Sequence, residues 1–142
     1  MLEKLRSRSA FEWQLAARAV VLMTMLVVAV RGLPYRIWRR LLAADERVRG
    51  GGRVVVSPSQ IVRAVESASR FVPGGANCLT RALTTRMLMT RYGLDSTLRL
   101  GVAKASRGLL EAHAWIEYQG TVLIGGRGRD RFALLPDLKA KR

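Results

Sequence analysis

The spacing of hydrophobic and polar residues changes near residue 95 of this 142-residue chain. Before that point, apolar residues recur every three to four positions, which is typical of helices that bury one face. After it, apolar and polar residues alternate in short runs between turn residues, which is typical of antiparallel strands. Helices followed by hairpin strands predict an α+β fold.

The first predicted helix covers residues 1–31. Ser9 is its predicted cap, with Glu12 three positions later as the capping-box partner. The apolar run of this helix, residues 19–30, is shorter than the roughly 20 residues that a membrane-crossing helix needs. We therefore expect the helix to pack in a core or against a partner, with contact to a membrane surface as the second alternative. Acidic residues before the run and Arg31 after it argue against a signal peptide.

A second helix is predicted over residues 34–44, because Gly32 ends the first one and Pro34 suits a first helical turn. Its aromatic and apolar positions lie beside arginines, so it either packs with a solvated basic side or sits at a membrane interface. Three glycines at positions 50–52 predict a loop.

Ser57 and Pro58 predict the start of another helix, which ends near Phe71. From this division we expect residues 1–56 to form a helical amino-terminal region. Residues 57–138 then form the core, and the two together make one compact domain.

The only cysteine of the chain, Cys78, stands at the start of the next predicted helix, which runs to Tyr92 and stops at Gly93. Unpaired N–H groups and the helix dipole favour negative charge there, so a thiol at this point ionises more easily. The pattern places an apolar arc on one side of the helix and its polar residues mostly on the other. The polar residues are Thr80, Arg81, Thr84, Thr85 and Arg91.

Three strands and a short fourth one are predicted in the second half. Their ranges are residues 97–103, 110–118, 121–124 and 132–135, with turns at residues 106–108 and 119–120. The only histidine, His113, shares one face of the second strand with Trp115 and Glu117. Ala114 lies on the other face.

A cysteine at a helix start and a histidine on a strand are the minimum parts for thiol catalysis. Two structural alternatives stand beside this hypothesis. A lone cysteine is often a small buried hydrophobic residue, and a lone histidine is often a core residue with satisfied hydrogen bonds.

Composition limits the classes of function. The chain has 25 Lys and Arg residues and 10 Asp and Glu residues, which gives a net charge of +15. Such a charge attracts polyanions, anionic lipids or acidic peptides. A solvated arginine-rich surface without a binding role has the same composition. Apolar residues make up 49%, which excludes a disordered chain. A single cysteine excludes an internal disulfide and fits a reducing compartment. We predict no metal, no cofactor and no nucleic-acid partner, since no zinc-type cluster and no aromatic-interleaved basic motif is visible.

Three blocks in order, residues 77–83, 92–102 and 111–117, resemble the leader-peptidase B proteins of lasso peptide biosynthesis. The third block contains His113-Ala114-Trp115. The similarity covers residues 73–135, and the combination of the three blocks is more specific than any one of them.

This resemblance implies a papain-related, transglutaminase-like fold in which the Cys-bearing helix packs on a small antiparallel sheet. It implies a cysteine protease that removes the leader from a ribosomally made precursor before a separate ATP-dependent cyclase closes the macrolactam. Residues 1–72 look helical and not like the strand-rich leader-recognition module of such systems, so a separate recognition protein is the expected partner. The expected location is the bacterial cytoplasm, with or without membrane association.

Under this resemblance Cys78 is the nucleophile and His113 the general base, with the Cys78 backbone N–H as oxyanion donor. The family carries an aspartate about a dozen residues after the histidine, where this chain has Gly125 and no carboxylate. Asp130 is the nearest downstream candidate for the third member, although it could equally be a solvated loop acid. Glu117 would reach the imidazole poorly, and a backbone carbonyl or a water molecule could orient His113 instead.

A second functional hypothesis needs no catalysis. In it the chain is a basic adaptor that docks on a membrane surface or a polyanion through arginines such as Arg36, Arg39 and Arg40. The two hypotheses are compatible.

Overall fold

The computed structural model describes residues 10–32, 34, 36, 37, 40, 55–72, 77–126 and 129–134. Three α-helices have bounds within them: α1 is Ala10–Gly32, α2 is Pro58–Ser69 and α3 is Cys78–Arg91. Arg36, Ile37 and Arg40 are also helical. The strands are β1, Thr97–Lys104; β2, Leu110–Tyr118; β3, Thr121–Ile124; and β4, Ala133–Leu134. The predicted α+β fold, with a Cys-bearing helix against a small antiparallel sheet, is confirmed.

The first half of the chain follows its predicted elements where it is described. Helix α1 occupies most of the predicted 1–31 range, while the predicted cap Ser9 lies outside the described residues. Most of the predicted 34–44 helix and the 50–52 loop also lie outside them. Helix α2 starts as predicted, because the Ser57 side chain accepts the Gln60 N–H and the Gln60 side chain accepts the Ser57 N–H.

The strand order β3-β2-β1-β4 makes an antiparallel sheet in which β3 lies at one edge. All three predicted hairpin strands are confirmed, and β2 and β3 have the predicted bounds. The turn between them has positive φ at Gln119 and Gly120, as a two-residue type I′ turn requires. A bulge at Ile116 and Glu117 shifts the pairing of β2 with β3.

The hydrophobic core lies between the three helices and one face of the sheet. Helix α1 contributes its inner stripe at a spacing of four residues, and β2 contributes Ala114 and Ile116. The stripe consists of Leu15, Ala19, Met23 and Val27. Because α1 packs in the same core as α2 and α3, its expected place in a core is confirmed on this face. The division at residue 56 stays a prediction.

The predicted polar side of α3 is wrong for three threonines, which are buried. The Thr84 hydroxyl donates to the Thr80 carbonyl at 2.7 Å, and the Thr85 hydroxyl donates to the Arg81 carbonyl at 2.8 Å. A hydroxyl that bonds to its own helix needs no solvent, so the side chain can be buried with its methyl group in the core. A pattern that classifies every threonine as polar therefore does not predict that these threonines are buried.

Candidate active site

Cys78 is the first residue of α3, and its position is set by the residue before it. Asn77 has extended backbone angles, and its side chain accepts the Thr80 N–H at 2.9 Å. In return the Thr80 hydroxyl oxygen accepts the Asn77 N–H at 3.1 Å. This capping box fixes the first turn of the helix, so that the half-buried Cys78 is its first residue, at the end where backbone N–H groups lack partners within the helix.

His113 lies in the middle of β2, paired with Gly101 of β1. Its Nε2 atom is 2.6 Å from the backbone oxygen of Gly125, which follows β3. The imidazole also stacks against two aromatic rings. The centroid of Phe132 is 5.0 Å away and that of Trp115 is 6.0 Å away. One hydrogen bond and two ring contacts therefore hold the orientation of this side chain.

The tertiary structure brings Cys78 and His113 to the wall of one cavity. Its volume is about 510 Å³, and it opens between α2, α3 and the end of β3. The lining residues are Glu66, Cys78, Arg81, His113, Leu123, Ile124, Gly125 and Gly126. A thiol, an imidazole and helix N–H groups beside one cavity can carry out nucleophilic attack on a carbonyl group.

An ion pair forms part of the same wall, and sequence reasoning missed it. Arg81 donates to the Glu66 carboxylate and so joins α3 to α2. The Nε atom of Arg81 is buried without a hydrogen-bond partner. Arg81 follows Cys78 by three positions, and residues at this spacing lie on the same helix face. This spacing is the sequence signal that places Arg81 beside Cys78. The polar pattern instead predicts Arg81 on the side of α3 opposite the apolar arc.

The two acidic residues that the sequence offers as candidate partners of His113, Glu117 and Asp130, have other surroundings. Glu117 accepts from the indole N–H of Trp115 at 3.0 Å and from Arg99 at 3.3 Å. Asp130 is exposed in a short turn of 3-10 helix, Arg129–Arg131, and among the described residues it is not part of the cavity lining. The role of Asp130 as third member stays a prediction.

Metal binding finds no support in the described ranges. Within them, no three residues from the His, Cys, Asp and Glu types come together in a way that could hold a metal ion.

Comparison with known proteins agrees with this arrangement. The family model for the Transglutaminase-like superfamily matches residues 13–136, a range that contains both Cys78 and His113. Neither a search of curated proteins nor a search of solved structures gave a significant match. The matched fold is typical of cysteine peptidases, and the superfamily commonly has cysteine protease or transglutaminase activity. Because the match spans most of the chain, this protein belongs to the transglutaminase-like superfamily.

Proposed function

We propose that this protein is a cysteine peptidase that removes the leader from a lasso-peptide precursor before macrolactam cyclisation. The observation that carries the proposal is the shared cavity of Cys78 and His113 in a transglutaminase-like chain. The resemblance of residues 77–83, 92–102 and 111–117 to lasso leader peptidases supports the choice of substrate.

The first chemical step forms an acyl-enzyme. His113 accepts the thiol proton, and the Cys78 sulfur attacks the scissile carbonyl carbon. The Cys78 backbone N–H, which has no partner within its own helix, donates to the oxyanion that develops. When the C–N bond breaks, His113 returns the proton to the leaving amine, which is the new N-terminus of the core peptide.

The second step releases the leader. A water molecule gives a proton to His113 while its oxygen attacks the thioester carbonyl carbon. The C–S bond then breaks, the thiol regains a proton, and the leader leaves with a free carboxylate. The net reaction is hydrolysis of one peptide bond, and it consumes no cofactor.

The surroundings of the cavity suit an extended peptide. A shallow groove of about 580 Å³ lies between α2 and the β2–β3 hairpin, and Leu123 lines both the groove and the cavity. Strand β3, which forms one side of the groove, lies at the sheet edge, where an extended chain can pair with it. We propose that the precursor runs along this groove towards Cys78.

Leader recognition is proposed to require a separate protein. Helices α1 and α2 pack into the core around Cys78 and do not form a module of their own, which supports this part of the proposal. A partner that holds the leader raises the effective concentration of the scissile bond at the cavity.

The test is cleavage of the precursor by the purified protein, with and without the recognition protein, followed by mass spectrometry. We expect two products whose masses sum to that of the precursor plus one water molecule, and faster cleavage with the partner present. Cys78→Ala and His113→Ala should each lower the rate by at least about 1,000-fold, as losses of triad members do in other enzymes.

Lys104→Gln is the control, since Lys104 is exposed at the end of β1 and does not line the cavity. Circular dichroism on all three variants separates lost chemistry from lost folding. Cleavage by Cys78→Ala at the parent rate would refute the mechanism, and full-speed cleavage without the partner would refute the need for a recognition protein.

We also propose a second, compatible function, which is docking on an anionic membrane surface through α1. The outer face of this helix carries an exposed apolar stripe opposite the core stripe, made of Trp13, Val21, Met25 and Val28. The exposed residues of α1 include no Asp or Glu. They do include Arg31, and also Arg18, whose guanidinium donates to the Tyr92 hydroxyl at 3.0 Å, and the chain carries a net charge of +15. An apolar stripe beside arginines fits the boundary between lipid tails and acidic headgroups.

By length and mean hydropathy alone, residues 10–29 could cross a membrane, although a core helix of a soluble protein meets the same criterion. The buried inner stripe of α1 favours an orientation parallel to the membrane surface, because crossing the membrane would pull that stripe out of the core.

A further inference from the structure

The hydrogen bond of His113 determines which ring nitrogen carries the proton. A backbone carbonyl oxygen only accepts hydrogen bonds, so at 2.6 Å from the Gly125 oxygen the Nε2 atom must be the donor. In a neutral imidazole the other nitrogen, Nδ1, is then unprotonated. Nδ1 is therefore the atom that can accept a proton from a thiol.

The backbone around Gly125 is shaped to bring this carbonyl to the ring. Gly125 has φ +79°, and a Cβ atom at this position would lie 2.6 Å from the Ala114 carbonyl oxygen. Both the backbone angle and the contact exclude an ordinary side chain. The loop after β3 thus passes close against β2, one residue from His113.

The ring of His113 is held from another direction by Phe132. The two rings are stacked, with an interplanar angle of 25°. Gly101 makes room for this packing, since a Cβ atom there would lie 2.7 Å from the Phe132 Cβ. The imidazole therefore has little freedom to turn Nε2 away from Gly125.

We propose that the Gly125 backbone carbonyl is the positioning group of His113. It lies twelve residues after the histidine, where the resemblance placed an aspartate, and it performs the orienting part of that role without a charge. It selects the tautomer with a proton on Nε2 and leaves Nδ1 to accept the Cys78 proton. The catalytic meaning of this assignment rests on the proposed peptidase function, whereas the tautomer is a property of the resting protein.

The tautomer can be measured directly, because the chain contains one histidine. In protein labelled with ¹⁵N-histidine, two-bond ¹H–¹⁵N correlation spectra of the neutral ring should show that Nε2 is protonated and that Nδ1 is unprotonated. A ring protonated on Nδ1, or an equal mixture of both forms, would overturn the proposal. This measurement needs no substrate, so its result does not depend on the identity of the peptide that is cleaved.

Two variants compare the carbonyl with the carboxylate that was considered for the same role. Gly125→Ala should displace the carbonyl and remove the preference for the Nε2–H form, while Asp130→Asn should leave the tautomer unchanged. A tautomer that responds to Asp130→Asn and not to Gly125→Ala assigns the role to the carboxylate and overturns the proposal.

Since Gly125→Ala risks misfolding, an ester provides the second perturbation. Replacing Gly126 by its α-hydroxy acid turns the carbonyl of Gly125 into a weaker acceptor with nearly the same shape. We expect kcat to fall roughly five- to tenfold with little change in KM, as for the loss of about one hydrogen bond. An unchanged kcat overturns the proposal. Absence of cleavage by the parent protein would instead refute the peptidase function and leave the tautomer result standing.

Discussion

At the scale of single residues, Asn77 matters as much for the candidate site as the cysteine that follows it. Its side chain and that of Thr80 bond to each other's backbone N–H groups and so fix the residue at which α3 begins. The first helical residue is then Cys78, at the end of α3 where the backbone N–H groups have no partner within the helix. One residue earlier or later, the thiol would leave this position.

The cap leads to a prediction for stability. Asn77→Ala should lower the free energy of unfolding by about 1 kcal/mol, because the Thr80 N–H loses its acceptor. Asn77→Asp keeps an acceptor oxygen and should stay close to the parent. Urea denaturation followed by circular dichroism measures both. Equal stability of the Ala variant and the parent would mean that the cap does not hold the start of α3.

At the scale of elements, α1 has two faces with different roles. Met23 is fully buried against the core, whereas Met25, two residues later, has 63% of its surface exposed. The same residue type thus occurs in both environments on one helix, which provides a matched pair for testing how α1 packs.

Met23→Ala should lower the free energy of unfolding by roughly 2 to 5 kcal/mol, because it removes buried apolar surface and leaves a cavity. Met25→Ala should change it by no more than about 0.5 kcal/mol. Thermal and chemical denaturation of both variants check this. Similar effects in the two variants would contradict the packing of α1 against α2 and α3.

At the scale of the whole molecule, the excess of basic residues and the outer stripe of α1 act together. Arg31, Arg36 and Arg40 are exposed at and beyond the end of the helix, and Arg31 follows the exposed Val28 by three positions on the same helix. Each Lys or Arg near an anionic membrane contributes about 1 kcal/mol to binding, and added salt screens this attraction.

Sedimentation with lipid vesicles tests this surface. We expect binding to vesicles of phosphatidylglycerol and phosphatidylcholine that weakens steeply between low and high salt, and little binding to phosphatidylcholine alone. Met25→Asp with Val28→Asp should reduce binding about tenfold or more, since it puts two charges into the stripe. Leu109→Asp with Leu110→Asp, which adds the same two charges at exposed leucines away from α1, should have little effect. The docking proposal would be refuted if vesicle binding changed neither with the salt concentration nor with the two substitutions in the apolar stripe.

By itself, the sequence determined the features that depend on neighbours along the chain. These include the start of α2 at the Ser57 cap, the start of α3 at Cys78, the bounds of the β2–β3 hairpin and the α+β order. Each arises from turns, caps or alternation within a few residues, and such interactions leave a local pattern. The same local reasoning failed for Thr84, because a hydroxyl bonded to its own helix no longer behaves as a polar surface group.

Only the tertiary structure decided what surrounds His113. It brought Gly125, Glu66 and Arg81 to the cavity that Cys78 and His113 share. Every residue has a backbone carbonyl, so the residue type at position 125 does not indicate that its carbonyl binds a histidine. An ion pair between two helices depends on how those helices pack. The resemblance left the orienting group open between Asp130, a carbonyl and water. In the structure the Gly125 carbonyl oxygen lies 2.6 Å from the His113 Nε2 atom, because the pairing of β3 with β2 brings the residue that follows β3 next to the imidazole.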